Sequence, residues 1–415
     1  MPLLSFKQHI LLEDASKNTH MTHIEDRVIY GGVAGARDSI NALRYLRDML
    51  AGSSNTRMNV SIKWDGAPAV FCGEDPADGR FFVAKKGIFN KDAVVYKTAA
   101  DIDQDTTGDL NRKLKIALEE LSKLGIKTII QGDIMFTTGD VTSETINGAK
   151  YKVFHPNTIA YAVPIESPMA KMISTAKLGV VFHTTYHGNT FADLKASYGV
   201  DISKFKKSTR VWYQDASLRD LSGTASMTKE ETAIVNQHLS QAGKIFQKIS
   251  STVLKTLEND PDLASSLETF NNSLIRKGEV IANPKSHVAK LIVWINAQFD
   301  KESSQRKTAK GQAGVELKRT ERMQFFSAEN IPNLELIIGL QNALVAAKGI
   351  VMKKLDSLKK INTFIKTADG FKVTGQEGFV AIDTLKGGAV KLVDRLEFSK
   401  SNFSPDIIKG WQKEE

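Results

Sequence analysis

The feature that most constrains this chain is a hydrophobic period that changes twice. Residues 56–225 run in short β-branched and aromatic stretches broken by Asp-Gly and Pro turns, with one helical segment near 109–124. Residues 226–367 switch to apolar positions three and four apart, in long segments at 230–257, 287–299 and 334–365. Strand-like runs return over residues 368–415. Alternation suits a strand with one face in the core, and a spacing of three and four suits an amphipathic helix. Late strands that complete an early sheet make the helical block between them an insertion. The expected fold class is therefore α+β, antiparallel sheets with a large helical insertion. A helical lead over 1–55 precedes it, carried by the helical spacing of 36–50.

Composition bounds the function. A chain of 415 residues with 41% hydrophobic content is long enough for two domains, or for one domain with a large insert. A single cysteine, Cys72, excludes an internal disulfide and fits a reducing compartment. No eighteen consecutive residues are apolar, and the apolar stretch at the N-terminus is too short for a signal peptide. The expectation is a cytoplasmic monomer with no membrane contact. A net charge of +9 favours a polyanionic partner, most simply nucleic acid. Within the helical block Arg306, Lys307, Lys310, Lys318 and Arg319 form the densest basic runs, suited to phosphates.

Chemistry concentrates at Lys63-Trp64-Asp65-Gly66, which follows the run Asn59-Val60-Ser61-Ile62. Read from the residues alone, this is a strand running into an Asp-Gly turn. A lysine there becomes a covalent nucleophile if burial or a neighbouring cation lowers its pKa. The tetrapeptide resembles the K-x-D-G motif of the covalent nucleotidyltransferases, the superfamily of ATP-dependent DNA ligases, RNA ligases and mRNA-capping guanylyltransferases. Further segments follow in that superfamily's order. Lys85-Lys86-Gly87 is similar to its arginine motif. Gln131-Gly132-Asp133-Ile134 is similar to D-G-E-L, with Asp133 in the glutamate's place. Phe182 stands where an aromatic stacks on the purine. Glu377-Gly378-Phe379-Val380 resembles E-G-V, and Lys391 lies in the closing strand, with Lys386 a substitute for its missing second lysine.

The resemblance implies that Lys63 attacks the α-phosphate of ATP and carries AMP as a phosphoramidate. Ile62, Trp64, Gly66, Lys85, Phe182, Glu377 and Lys391 would line the nucleotide. Asp133 and Glu377 would hold Mg2+ or Mn2+. The activated AMP would pass to a 5′-phosphate on RNA or DNA, and a 3′-hydroxyl would displace it. About two dozen residues follow Lys391, too few for the five-stranded OB barrel that DNA ligases and capping enzymes carry there. The expectation is thus RNA-ligase-like, with residues 226–367 gripping the polynucleotide. A softer likeness runs to proteins of large tailed phages. The alternatives are a catalytically silent ligase-fold nucleic-acid-binding or virion protein, and a capping-type guanylyltransferase. Three other features carry less. Gly31 to Gly35 lacks the ending of a phosphate loop. His183 and His187 have metal spacing only if helical, and they read as strand. Trp64, Trp212, Trp294 and Trp411 are too scattered for a stacking platform.

Overall fold

A computed structural model describes residues 21–53, 58–218, 227–358, 361–383 and 389–412. The architecture is α+β, built from antiparallel sheets and a helical layer. Helices α1 (Arg27–Tyr30) and α2 (Gly32–Leu50) open the described chain. The turn between them is close: a Cβ on Gly35 would lie 2.1 Å from the Arg27 carbonyl oxygen.

Three strands distant in sequence make the sheet that matters most. β1 (Met58–Lys63) pairs antiparallel with β13 (Gly378–Asp383), and β13 with β14 (Ala389–Val393). Side chains alternate faces along each strand. Val60, Ile62, Phe379, Ala381, Val390 and Leu392 share one face and pack into the core of the helical layer. Lys63, Gly378 and Val393 form a row on the opposite face, with Ser61, Val380 and Lys391 in the next row. This alternation, apolar inward and chemically active outward, positions the site.

The second sheet runs β10-β8-β4-β2-β3, with β9 on β8. Its strands are β2 (Ala69–Glu74), β3 (Phe81–Ala84), β4 (Ile129–Thr137), β8 (Leu178–His187), β9 (Lys195–Tyr198) and β10 (Val211–Asp215). β10 lies parallel to β8, and the other pairings are antiparallel. Helices α3 (Ala99–Asp105) and α4 (Gly108–Leu121) cover one face, burying Ile102, Leu114 and Leu121 against Val70, Ile130, Val180 and Phe182. Cys72 is buried in this layer, and burial pushes its thiol pKa up. Ile62 N–H donates to the Ala216 carbonyl at 2.8 Å, which joins β1 to the end of β10. A third sheet, β12-β11-β7-β6-β5, comprises β5 (Val141–Ile146), β6 (Ala149–Phe154), β7 (Ile159–Pro164), β11 (Asn362–Thr367) and β12 (Gly370–Val373). The short helix α5 (Pro168–Thr175) packs on β6 and β7.

The helical block comprises α6 (Lys229–Phe246), α7 (Ser251–Asn259), α8 (Pro261–Arg276), α9 (Pro284–Gln305), α10 (Ala309–Gln324) and α11 (Asn330–Asp356). α11 is long and apolar enough to cross a membrane by length and composition. Here it is the block's central helix: Ile337, Leu340, Leu344 and Val351 are fully buried within the core it shares with α2 and α6. The N-terminal lead is therefore part of the same helical layer. Residues 362–367, expected as the tail of a helix, form β11 instead, because pairing with β7 and β12 satisfies their backbone and buries Phe364. Helix α12 (Arg395–Phe403) closes the fold. Beneath β14 sits a buried ionic cluster. Lys348 of α11 donates to both Glu25 oxygens at 2.8 and 2.9 Å, and Arg395 donates to Asp26 at 2.8 Å.

Candidate functional site

The site forms where the outward face of β1-β13-β14 meets β4 and β8. Lys63 ends β1 opposite Gly378, and its ammonium donates directly to Glu377, 314 residues away in sequence. Lys63 remains 34% exposed on its side chain and Glu377 10%, so the pair stands at the solvent edge of the site. Gly378 lets β14 lie close against β13 behind this pair. A Cβ there would lie 2.2 Å from the Leu392 carbonyl oxygen and 2.7 Å from Val393.

The Asp-Gly pair after Lys63 makes a clamp rather than a free turn. Asp65 is 5% exposed. Its carboxylate accepts from Asn157 Nδ2 at 2.8 Å, Thr158 N–H at 2.7 Å and Ile159 N–H at 2.8 Å. Burial raises its pKa, and these three bonds oppose that rise. Its own N–H donates to Tyr161 Oη at 2.7 Å. Gly66 crosses β4 so closely that a Cβ would meet Asp133 Cβ at 2.5 Å and Met135 Sδ at 2.9 Å. Only glycine lets the chain continue into β2 alongside Asp133.

Four of the expected residues converge. Burial pushes Asp133 up to about 7; Asp65 adds to the rise, and the Lys63 charge opposes it. Burial likewise pushes Glu377 up to about 7 against the pull of Lys63. Lys391 is lowered, first by burial and then by the Lys63 charge. Two cations and two carboxyls thus form one electrostatic unit. The two carboxyls supply oxygens of the kind a hard divalent cation takes. Among the described residues, no three His, Cys, Asp or Glu side chains come together as a ready metal site.

Other expected residues lie differently. Phe182 is fully buried on the helix-covered face, edge-on to Phe205 at 5.6 Å, and has no face to offer a purine. Alternation along β8 explains this: Leu178, Val180 and Phe182 point one way, and His183 the other. Lys85 is engaged by Asp105 at 2.9 Å and lies 5.9 Å from the Tyr96 ring centre; the Asp105 bond raises its pKa. Trp64 is 9% exposed and packs its ring on Tyr161 at 4.9 Å, with its indole N–H lacking a partner among the described residues. Ile62 points into the apolar packing beneath the site. Trp64 and Ile62 can therefore meet a ligand through backbone only. Lys386 lies outside the described residues.

His183, set aside in the sequence together with His187 because the segment reads as strand, stands beside Asp133. Its Nε2 lies 3.5 Å from Asp133 Oδ2, and its Nδ1 lies 2.7 Å from Thr184 Oγ1. Burial, then the Lys63 charge, lowers it to about 4, so the imidazole is neutral. The imidazole that follows the apolar run from Leu178 to Phe182 was the available signal. In the helical block, Arg306 pairs with Glu302 at 2.6 Å, Arg319 with Asp300 and with Glu316, and Arg322 with Asp260. No ion pair involves Lys307, Lys310 or Lys318 among the described residues.

No curated protein and no solved structure matches this chain. Residues 18–406 match a family of unknown function, DUF6267, and the chain belongs to that family.

Proposed function

We propose that this protein is a covalent nucleotidyltransferase of the polynucleotide-ligase kind, with Lys63 as the nucleophile and ATP as the donor. One observation carries the reading: Lys63 and Glu377, the two best-matched motif residues, lie 314 residues apart and meet beside Asp133 and Lys391. In this reading the Lys63 ammonium passes a proton to Glu377, whose raised pKa makes it a competent acceptor. The amine then forms a bond to the α-phosphorus as the bond to pyrophosphate breaks. Lys391, on the same sheet face, offsets charge on the phosphate oxygens. A magnesium ion held through Asp133 would neutralise charge on the triphosphate and leave Glu377 free to take the proton. AMP on Lys63 then activates a 5′-phosphate, a 3′-hydroxyl displaces it, and α9, α10 and their lysines hold the polynucleotide.

The test is incubation with α-labelled ATP or GTP and magnesium, followed by a denaturing gel. Label that survives denaturation and vanishes in Lys63→Ala supports the reading. Label that maps to another residue, or none with either nucleotide, refutes it. A second reading is favoured by the burial of Phe182 and the locking of Lys85 to Asp105, which remove two expected nucleotide contacts. It is a nucleic-acid-binding protein that keeps the residue cluster but transfers nothing. Salt-sensitive nucleic-acid binding without any labelling would select it.

A further inference from the structure

We propose that His183 and Asp133 form a nitrogen–oxygen ligand pair for a divalent cation, one that prefers Mn2+ to Mg2+. The pair is built across two neighbouring strands of the central sheet, Asp133 on β4 and His183 on β8, at a point where the register skips His183 in a bulge of the kind that re-aims a side chain. Nε2 and Oδ2 are 3.5 Å apart, a separation that two ligands of one ion can share. The imidazole is held from behind: Nδ1 lies 2.7 Å from Thr184 Oγ1, which directs Nε2 toward Asp133. A hydrogen bond to the far ring nitrogen is the usual companion of a metal-binding histidine, because it fixes ring orientation and tautomer.

Access and charge agree. The His183 side chain is 31% exposed and that of Asp133 21%, so an ion can reach both. The nearest cation, Lys63, is already paired with Glu377. His187, which shares the strand, is turned to Ser197 Oγ at 3.1 Å and does not join the pair. Two protein ligands leave most of an octahedral shell to water or to phosphate oxygens, which is how nucleotide-handling cations are commonly held. Mg2+ favours all-oxygen shells, whereas an imidazole nitrogen shifts preference toward transition ions. The pair deepens the nucleotidyltransferase reading, in which the triphosphate fills the open positions. Its geometry does not depend on that chemistry.

The experiment is titration of the full-length, nucleotide-free protein with Mn2+, reading free ion by electron paramagnetic resonance, then competition with Mg2+. Wild type is expected to bind one Mn2+ here and to release it only to Mg2+ in at least about tenfold excess. His183→Leu is expected to lose about tenfold or more in Mn2+ affinity, and Asp133→Asn to lose binding at this site. Lys63→Ala should retain Mn2+ binding, at least as tight as in wild type because a neighbouring positive charge is gone, which separates this proposal from nucleotide transfer. A Lys63 label without Mn2+ binding sinks the pair alone; Mn2+ binding without label sinks the transfer reading alone. Equal Mn2+ affinity in wild type and His183→Leu overturns the proposal. Should His183→Leu not fold, Mn2+ broadening of the wild-type His183 ring resonances decides: sharp resonances at saturating Mn2+ overturn it equally.

Discussion

Replacing Asp65 with alanine tests whether the acid of the Lys63 motif is a structural clamp. The carboxylate is 5% exposed and accepts three hydrogen bonds, two of them from the backbone N–H groups of Thr158 and Ile159. Truncation leaves both buried donors without their acceptor, at about 1–3 kcal/mol each. Taking the middle of that range gives about 4 kcal/mol. Unfolding entropy near 60 °C is about 2.1 cal/mol/K per residue, so 415 residues melting together give roughly 0.9 kcal/mol/K. The expected fall in Tm is therefore about 4–5 °C. Differential scanning calorimetry measures it, with Asn157→Ala as a graded control. That control removes only the side-chain donor and should cost about 1 kcal/mol, near 1 °C. A shift below about 1 °C for Asp65→Ala would refute the clamp and return Asp65 to a purely chemical role.

Other outcomes follow from the same structure. Gly66→Ala should cost about 1–3 kcal/mol in urea unfolding, because its methyl group would displace Asp133 or Met135. Lys348→Met leaves Glu25 without its closest partner in a buried cluster and should cost about 3–5 kcal/mol by the same assay. Asp133 has a folded pKa of about 7, above that of an unfolded aspartate. Its contribution to stability is complete in acid and is lost as pH rises toward 7, so Asp133→Asn should flatten the stability profile between pH 4 and 7. Neutralising Lys307, Lys310 and Lys318 together should lower the salt slope of nucleic-acid binding by about two to three units while Lys63 labelling persists. Equal slopes would assign the block to packing.

The sequence disclosed what depends on local pattern and missed what depends on packing geometry. The strand–helix–strand order was legible from period alone, and the meeting of Lys63 with Glu377 followed from reading two short strand ends as one site. The purine platform was misassigned because β8 is central and buried on both faces. An apolar strand of that kind carries no alternation to say which residue faces the site. Parity puts Phe182 in the core and His183 beside Asp133. Lys85 was read from its place before a glycine, yet its partner Asp105 lies on a helix that no motif announces. β11 was read as helix because its two apolar residues and one lysine fit either period over so short a run.

The sheet β1-β13-β14 has a consequence for when the candidate site can assemble. Its first strand is synthesised early, and its partners arrive more than 300 residues later. Closing a flexible loop of that length costs about 3 kcal/mol more than closing a ten-residue hairpin. The helical block shortens the effective distance: once α2, α6 and α11 have packed, β1 enters and leaves beside the surface on which β14 must land. In the folded protein the block holds the first strand at the place where the last ones dock. During synthesis Lys63 therefore lacks Glu377 until β13 has been made, more than 300 residues after β1. A product broken off within the helices would carry Lys63 without Glu377 and Lys391. The candidate site is thus assembled from both sides of the helical block and is complete only once β13 and β14 exist.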